Sequence, residues 1–329
     1  MHDADLLARL ERRLDAIHLR RRLTIEAAHE ARCQGPGLNF FQTERWCSAH
    51  AVVRLGLRMA GLYGRARRNA ARVQVRRNTV VSPRLPAAFH GFTILQLSDL
   101  HADLSGEAMA RVAELLPGLR YDLCVITGDF RGRTFGPFAQ SLEGVALVRG
   151  ALAGPVFGVL GNHDPIRMLP ALEAMGLRML VNEAETLERN GERLHLAGIE
   201  DAHHFRLDDI AGVAAPHPDR FAVLLSHTPE VYREAAQAGF DLTLSGHTHG
   251  GQLCLPGGIS IMLEAKLPRS LGAGAWRHGA MSGYTSVGCG CSLIAVRLNC
   301  PPEITLHRLE RPVANSPLTK SGSADSLWS

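Results

Sequence analysis

Six short apolar runs, rich in β-branched residues, each stop at a polar residue, and this recurring stop narrows the available folds more than any other feature of the chain. Thr93-Ile94-Leu95-Gln96-Leu97-Ser98 leads to Asp99, Leu123-Cys124-Val125-Ile126-Thr127 to Gly128-Asp129, and Val156-Phe157-Gly158-Val159-Leu160 to Gly161-Asn162-His163-Asp164. Further runs are Leu194 to Ile199, Phe221 to Ser226 before His227, and Leu242 to Ser245 before Gly246-His247-Thr248-His249. The first three recur at intervals of about 30 residues, the length of a β-α-β unit. A layered α/β body is therefore predicted. Open α/β sheets place their sites at the carboxyl ends of the strands, which is where the Asp, Asn and His residues collect.

The 329 residues are 46% hydrophobic, 21% charged and 5% aromatic, which excludes collagen-like, coiled-coil and wholly disordered chains. Charge is uneven: residues 1–90 hold 17 Arg against 7 acids, a balance of +10, while residues 91–329 hold 19 basic residues against 25 acids, a balance of −6. Only Lys266 and Lys320 are lysines, a bias spread along the whole chain. Seven scattered cysteines lack the dense even spacing of a disulfide scaffold, so a reducing compartment is expected. No run reaches the ~18 uncharged apolar residues of a membrane span, and alternating acids and arginines near Met1 do not read as a signal peptide. Contact with a membrane would be from its surface.

Residues 1–80 read as a basic helical extension. Leu6, Leu7, Leu10, Leu14 and Ile17 fall at helical spacing, Gly35-Pro36-Gly37 breaks the pattern, and a second apolar-basic stretch runs from about Ala49 to Tyr63. There Arg54, Arg58 and Arg65 fall on one face, and Val52, Leu55, Met59 and Leu62 on another. Such a helix either lies on an anionic membrane surface or packs its apolar face on the domain behind it. Residues 76–90 read as a lead-in strand or linker, 81–312 as the catalytic domain, and 313–329 as a disordered tail. Gly283 to Leu309 is read as closing strands with a bend, where Cys289, Cys291 and Cys300 are core residues. Met168, Met175 and Met179 are likewise read as core.

One His at a strand end is usually structural; five elements in order, each at a strand end, are not a chance arrangement. The set Asp99-Leu100-His101, Gly128-Asp129, Gly161-Asn162-His163-Asp164, His227 and Gly246-His247-Thr248-His249 resembles the D-x-H, G-D, G-N-H-D/E, H and G-H-x-H pattern of the calcineurin-like metallophosphoesterases. The resemblance covers about residues 92–310. It implies a four-layered α/β/β/α sandwich carrying two divalent metal ions. Carried over position by position, it implies one ion held by Asp99, His101, Asp129 and His249, and a second by Asp129, Asn162, His227 and His247, with Asp129 bridging. Nitrogen and oxygen donors of this kind suit Mn, Fe, Zn or Co better than Ca, and Mn is the expected ion. Two such cations clamp phosphate oxygens and lower the pKa of a shared water. His163, beside the metals, would protonate the leaving oxygen.

Protein phosphatases of this family carry an acid after the Gly-Asp pair to orient that histidine. This chain has Phe130-Arg131-Gly132-Arg133 there, so Asp164 or another group must do so, and Arg131, Arg133 or Asn162 become candidates for holding substrate phosphate. The flanks Leu85-Pro86, Gly91-Phe92, Gly250-Gly251-Gln252 and Cys300-Pro301-Pro302-Glu303-Ile304 resemble the bacterial phosphodiesterase branch. That branch includes a UDP-2,3-diacylglucosamine diphosphatase of lipid A synthesis, which implies an acylated nucleotide-sugar substrate, release of UMP, and a cytoplasmic site, peripheral on the inner membrane face. The alternatives are a phosphodiesterase for soluble nucleotides or other phospholipids and, more remotely, a non-catalytic scaffold. Phe40, Phe41, Trp46 and Tyr63 are too few and too scattered for a nucleic-acid stacking platform. No phosphate loop and no nucleophile elbow occur.

Overall fold

A computed structural model describes residues 3–34, 43–214 and 220–312, apart from the side chains at 3, 32–34 and 43–50. The N-terminal region forms α1 (Asp3–Arg13), α2 (Ala16–Gln34), α3 (Thr43–Met59), α4 (Tyr63–Ala70) and strand β1 (Gln74–Val81). Next come β2 (Thr93–Leu97), α5 (Gly106–Leu115), β3 (Leu123–Thr127), α6 (Ala139–Ala151), β4 (Val156–Val159), α7 (Leu169–Ala174) and β5 (Arg178–Met179). They are followed by β6 (Glu183–Arg189), β7 (Glu192–Gly198), α8 (Ile210–Ala214), β8 (Ala222–Leu225), α9 (Tyr232–Gln237) and β9 (Leu242–Ser245). The short hairpin β10 (Cys254–Leu255) and β11 (Ile259–Ser260) precedes β12 (Gly274–His278), β13 (Met281–Thr285) and β14 (Glu303–Glu310). The six apolar runs are thus β2, β3, β4, β7, β8 and β9.

Two six-stranded sheets result, in the orders β1-β14-β2-β3-β4-β5 and β12-β13-β9-β8-β7-β6. Side chains alternate across the first sheet as a period of two requires. Ile94 and Val125 face the second sheet with Phe157, Leu196, Val223 and Leu244, whereas Leu95, Leu97 and Ile126 face helices α1, α2, α5, α6 and α7 through Leu10, Leu19, Met109, Val148 and Leu172. On the far side, α8 and α9 cover Ala197, Leu224 and Trp276 with Ile210, Val213, Tyr232 and Ala235. The layers are α/β/β/α, the sandwich expected from the sequence. Met168 and Met179 are buried in the core between the first sheet and its helices, and Met175 packs against it.

Three local readings need correction. Ile17 does not continue the face of Leu6, Leu10 and Leu14, which pack on one core, because Asp15 starts a new helix by accepting from the Ile17 and His18 amides at 2.9 and 3.0 Å, and Ile17 is exposed. The Ala49 to Tyr63 stretch is not one helix either: α3 ends where Gly61 takes a φ of 68°, with Gly61 N donating to Arg58 O and Leu62 N to Leu57 O, the paired bonds of a Schellman stop. Leu62 and Arg65 therefore leave the α3 face. Cys289 and Cys291 lie between β13 and β14 rather than on a strand, but are buried as expected. Strand β1 pairs with β14 over its whole length, so the first sheet begins at Gln74. The Gly35-Pro36-Gly37 break and the 313–329 tail lie outside the described residues.

Helix α2 is fastened by a fully buried arginine. The Arg22 guanidinium pairs with Glu200, donates to Asp164 O at 2.6 Å and to Glu26 at 2.8 Å, and lies 3.3 Å above the Phe205 ring. Burial pushes the Glu200 carboxyl up, but Arg22 and His18 outweigh it and hold its pKa below the usual carboxylate range. Removing one partner of such a pair leaves a buried charge uncompensated, so Arg22→Ala is expected to lower stability by about 3–5 kcal/mol, read as a drop in urea midpoint at unchanged m-value. A change under about 1 kcal/mol would mean that α2 is held by its apolar face alone.

Candidate metal centre

The polar residues following β2, β3 and β9 are set by unusual backbone. Asp99, His101, Asp129, His247 and His249 have φ of 50°, 41°, 55°, 71° and 50°, a region that costs L-residues energy and persists where surrounding structure imposes it. Here the imposed constraint is the close approach of loops from different strands. A Cβ on Gly161 would lie 2.2 Å from Asp129 Oδ1, and one on Gly246 would lie 1.9 Å from Ser98 Oγ, so neither position tolerates a side chain.

All seven side chains expected to bind metal converge. On one side, His101 Nε2 lies 2.9 Å from His249 Nε2, which is 3.5 Å from Asp99 Oδ1. On the other, His227 Nε2 and His247 Nδ1 are each 2.9 Å from Asn162 Oδ1 and 3.2 Å from one another. Asp129 Oδ2 spans the two groups, 3.6 Å from His101 Nε2 and 3.3 Å from His227 Nε2. Asp99 with His101 and His249, and Asp99 with Asp129 and His227, are grouped closely enough to hold an ion.

Outer contacts aim these donors. His101 Nδ1 faces the Arg131 carbonyl at 3.1 Å and His227 Nδ1 the Thr127 carbonyl at 2.8 Å. A carbonyl only accepts, so both Nδ1 atoms carry hydrogen, and in the neutral rings the Nε2 lone pairs point to the centre. Histidine nitrogens confronting one another and a carboxylate in a buried pocket are a poor arrangement for hydrogen bonding alone, and the donor set fits borderline divalent cations. Burial opposes charge on His227, but Asp129, aided by Asp99, carries its pKa up to about 10. Burial likewise disfavours the Asp129 anion, yet His227 and His163 hold its carboxyl well below the usual range. A cation entering this pair would displace the His227 proton, which couples metal uptake to pH.

His163 stands beside the cluster, its ring 5.3 Å from that of His101, and burial depresses it to about 4, so it is neutral near pH 7. Its Nδ1 partner is not Asp164. Thr134 Oγ1 lies 2.9 Å from it, whereas the Asp164 carboxylate accepts from Arg131 N at 3.0 Å and Gly161 N at 2.9 Å and so holds the loop rather than the ring. Arg131 also departs from expectation: its guanidinium donates to His163 O, Gly136 O and Thr134 O, bracing the 131–136 loop instead of offering a fork to phosphate. Arg133 is exposed at the loop surface near Asp103. Sequence reasoning missed three groups. Thr134 has no motif of its own; Arg297, fully buried, spans His249 O, Gly290 O and Val287 O, and its only signal is a lone arginine within an apolar stretch; His203 pairs with Glu230 at 2.7 Å and sets its ring 4.3 Å from that of His247.

The profile described as calcineurin-like phosphoesterase matches residues 92–251. The chain is 31% identical over 242 residues to phosphodiesterase YaeI of Escherichia coli, covering 66% of this chain and 82% of that protein. It is 28% identical over 226 residues to the uncharacterized metallophosphoesterase YkoQ of Bacillus subtilis, covering 66% and 83%, and 29% identical over 267 residues to YkuE of the same organism, covering 77% and 92%. Asp129 stands between the two donor groups, so Asp129→Ala is expected to bind fewer divalent ions per chain than the unaltered protein when both are equilibrated with Mn and counted by elemental analysis. Equal content would remove Asp129 from the centre.

Proposed function

The chain belongs to the calcineurin-like phosphoesterase family, and from that premise we propose that this metal-dependent phosphoester hydrolase uses Asp99, His101, Asp129, Asn162, His227, His247 and His249 to hold two divalent cations and cleaves a phosphodiester or diphosphate bond. The observation that carries the reading is the placement of Asp129 between two sets of nitrogen and oxygen donors. Cations held there would neutralise phosphate oxygens and activate water. The residues around them supply the rest. Asn162 presents its amide oxygen to the second donor set. Thr134 Oγ1, 2.9 Å from His163 Nδ1, fixes the ring; a substrate phosphate beside it would favour the imidazolium, whose Nδ1–H would donate to that hydroxyl and whose Nε2 proton would pass to the departing oxygen. Asp164 and Arg131 keep the His163 loop in place through backbone bonds. Arg133, exposed beside that loop, remains the arginine proposed to meet substrate phosphate.

The substrate proposed from the flanking sequence is UDP-2,3-diacylglucosamine, cut to UMP and a lipid monophosphate; the alternative is a diester of a soluble nucleotide or another phospholipid. Product-resolved hydrolysis by the Mn-loaded protein separates them: UMP release establishes the first, and cleavage of an aryl phosphodiester without UMP release moves the assignment to the second. With whichever substrate turns over, His163→Ala is expected to retain both ions and lose ~10²–10⁴-fold in kcat. Thr134→Val should lower kcat with little change in KM; loss of metal in either variant would assign these residues to the centre itself.

We also propose that α3 rests on an anionic membrane surface. No described helix is long and apolar enough to cross a membrane. Val52, Leu55 and Met59 nevertheless stand 68%, 58% and 81% exposed beside exposed Arg54 and Arg58, so this face is not spent on the domain behind it. Replacing the three apolar residues by Ser is expected to weaken sedimentation with phosphatidylglycerol-containing vesicles by about tenfold or more while sparing hydrolysis of a small diester. Undiminished vesicle binding would end this part of the proposal.

A further inference from the structure

Beside the metal centre, on the side of His163, lies a cleft of about 480 Å³ whose outer wall is helix α2. That volume is within the range of small-molecule sites, ~300–1,000 Å³. Leu23 and Ala27 of α2 line it together with Phe135 and Phe138 of the loop after β3, Phe205 and His163. Three of the polar groups there have internal work. Glu26 accepts from Arg22 and from Ile166 N at 2.7 Å, Arg131 is committed to carbonyls, and Thr134 holds His163. The cleft thus offers hydrocarbon contact from Leu23, Ala27, Phe135, Phe138 and Phe205, with Glu30, Arg167, His29 and His204 also on its wall.

We propose that this cleft receives the apolar portion, acyl or aryl, of the leaving group, and that α2 is a specificity element of the site. The inference rests on the hydrolase reading for its direction: a group that receives a proton from His163 must depart on the His163 side, and the space open there is this cleft. A phosphoryl group seated at the metal centre would then place its ester substituent between Ala27 and Phe135. Helix α2 is a suitable wall because Arg22 ties it both to Glu200 and to the carbonyl of Asp164, the residue following His163. The wall and the proton donor are held by one side chain.

The test uses the full-length, Mn-loaded protein and fluorescent 2-naphthylphosphonate, which cannot be hydrolysed. Ala27 is exposed on α2, so a Trp there fills the cleft without entering the core, and Ala28, exposed and outside the cleft lining, is the control. Ala27→Trp is expected to weaken naphthylphosphonate binding by tenfold or more and to leave methylphosphonate binding unchanged, whereas Ala28→Trp changes neither. Equal naphthylphosphonate binding by Ala27→Trp and the unaltered protein, or weakening by Ala28→Trp as large as by Ala27→Trp, overturns the assignment, as does absence of naphthylphosphonate binding in all three. Hydrolysis of methyl 2-naphthyl phosphate is a separate readout. No turnover of it or of UDP-2,3-diacylglucosamine, with Ala27-sensitive binding retained, would overturn the hydrolase reading and leave the cleft standing.

Discussion

The structure depends on a convergence that the backbone resists. Five of the chain's candidate ligands occupy left-handed backbone, and no single loop would hold them so. What holds them is mutual: the Asp99 carboxylate accepts from His247 N at 3.0 Å, Asp129 Oδ1 from His163 N at 2.9 Å, and Gly290 N donates to Asp99 O at 2.8 Å. Each loop is thus clamped by a neighbour from a different strand, and the local strain is distributed over two sheets whose shared core fixes their spacing. Glycine at 161 and 246 is the steric condition for this closeness. The stability of the sandwich is in this sense spent on preorganising seven donors.

The same logic extends outward. Asp164 secures the His163 loop from inside through two amides, and Arg22 secures it from outside through the Asp164 carbonyl. Beneath the opposite donor set, Arg297 bridges His249 O and Gly290 O, joining the turn after β9 to the segment that covers Asp99. Both arginines are fully buried, yet only Arg22 has a carboxylate partner. Arg297 is satisfied by carbonyls and lies against Cys300 Sγ. A planar fork of fixed donors suits such bridging in a way a flexible ammonium would not.

The layered body and the convergence of the seven candidate side chains were legible because both are written in short-range patterns: period-two strands, and polar residues at their ends. What the sequence concealed was whatever depends on a contact distant in sequence. Thr134 reaches His163 across 29 positions, and nothing in Arg133-Thr134-Phe135 marks it. Asp164, adjacent to His163, was the natural candidate to orient it, but adjacency along the chain is not proximity of the side chain, and its carboxylate turns back to amides. Arg131 misled for a related reason, since a loop arginine is read as available until its carbonyl partners are seen. Helical register failed at Asp15 and Gly61, where a capping side chain and a left-handed glycine override a continuous apolar spacing.

Charge explains what becomes of the N-terminal helices. The excess of arginine before residue 90 and of acids after it reads from sequence as a partner for some external anion, but much of it is internal complementarity. Arg13 meets Glu173 and Glu183, Arg22 meets Glu200, and Arg84 meets Asp241. Leu10 and Leu19 are buried along with them, so α1 and α2 are part of the body and removing them would open its helical layer. Helix α3 has the same composition and a different outcome: the described part of it carries arginine without an ion pair to the body among the bonds resolved, and its apolar side chains face outward. A basic amphipathic sequence does not itself decide between packing and surface binding; the presence or absence of matching carboxylates on the adjacent layer does.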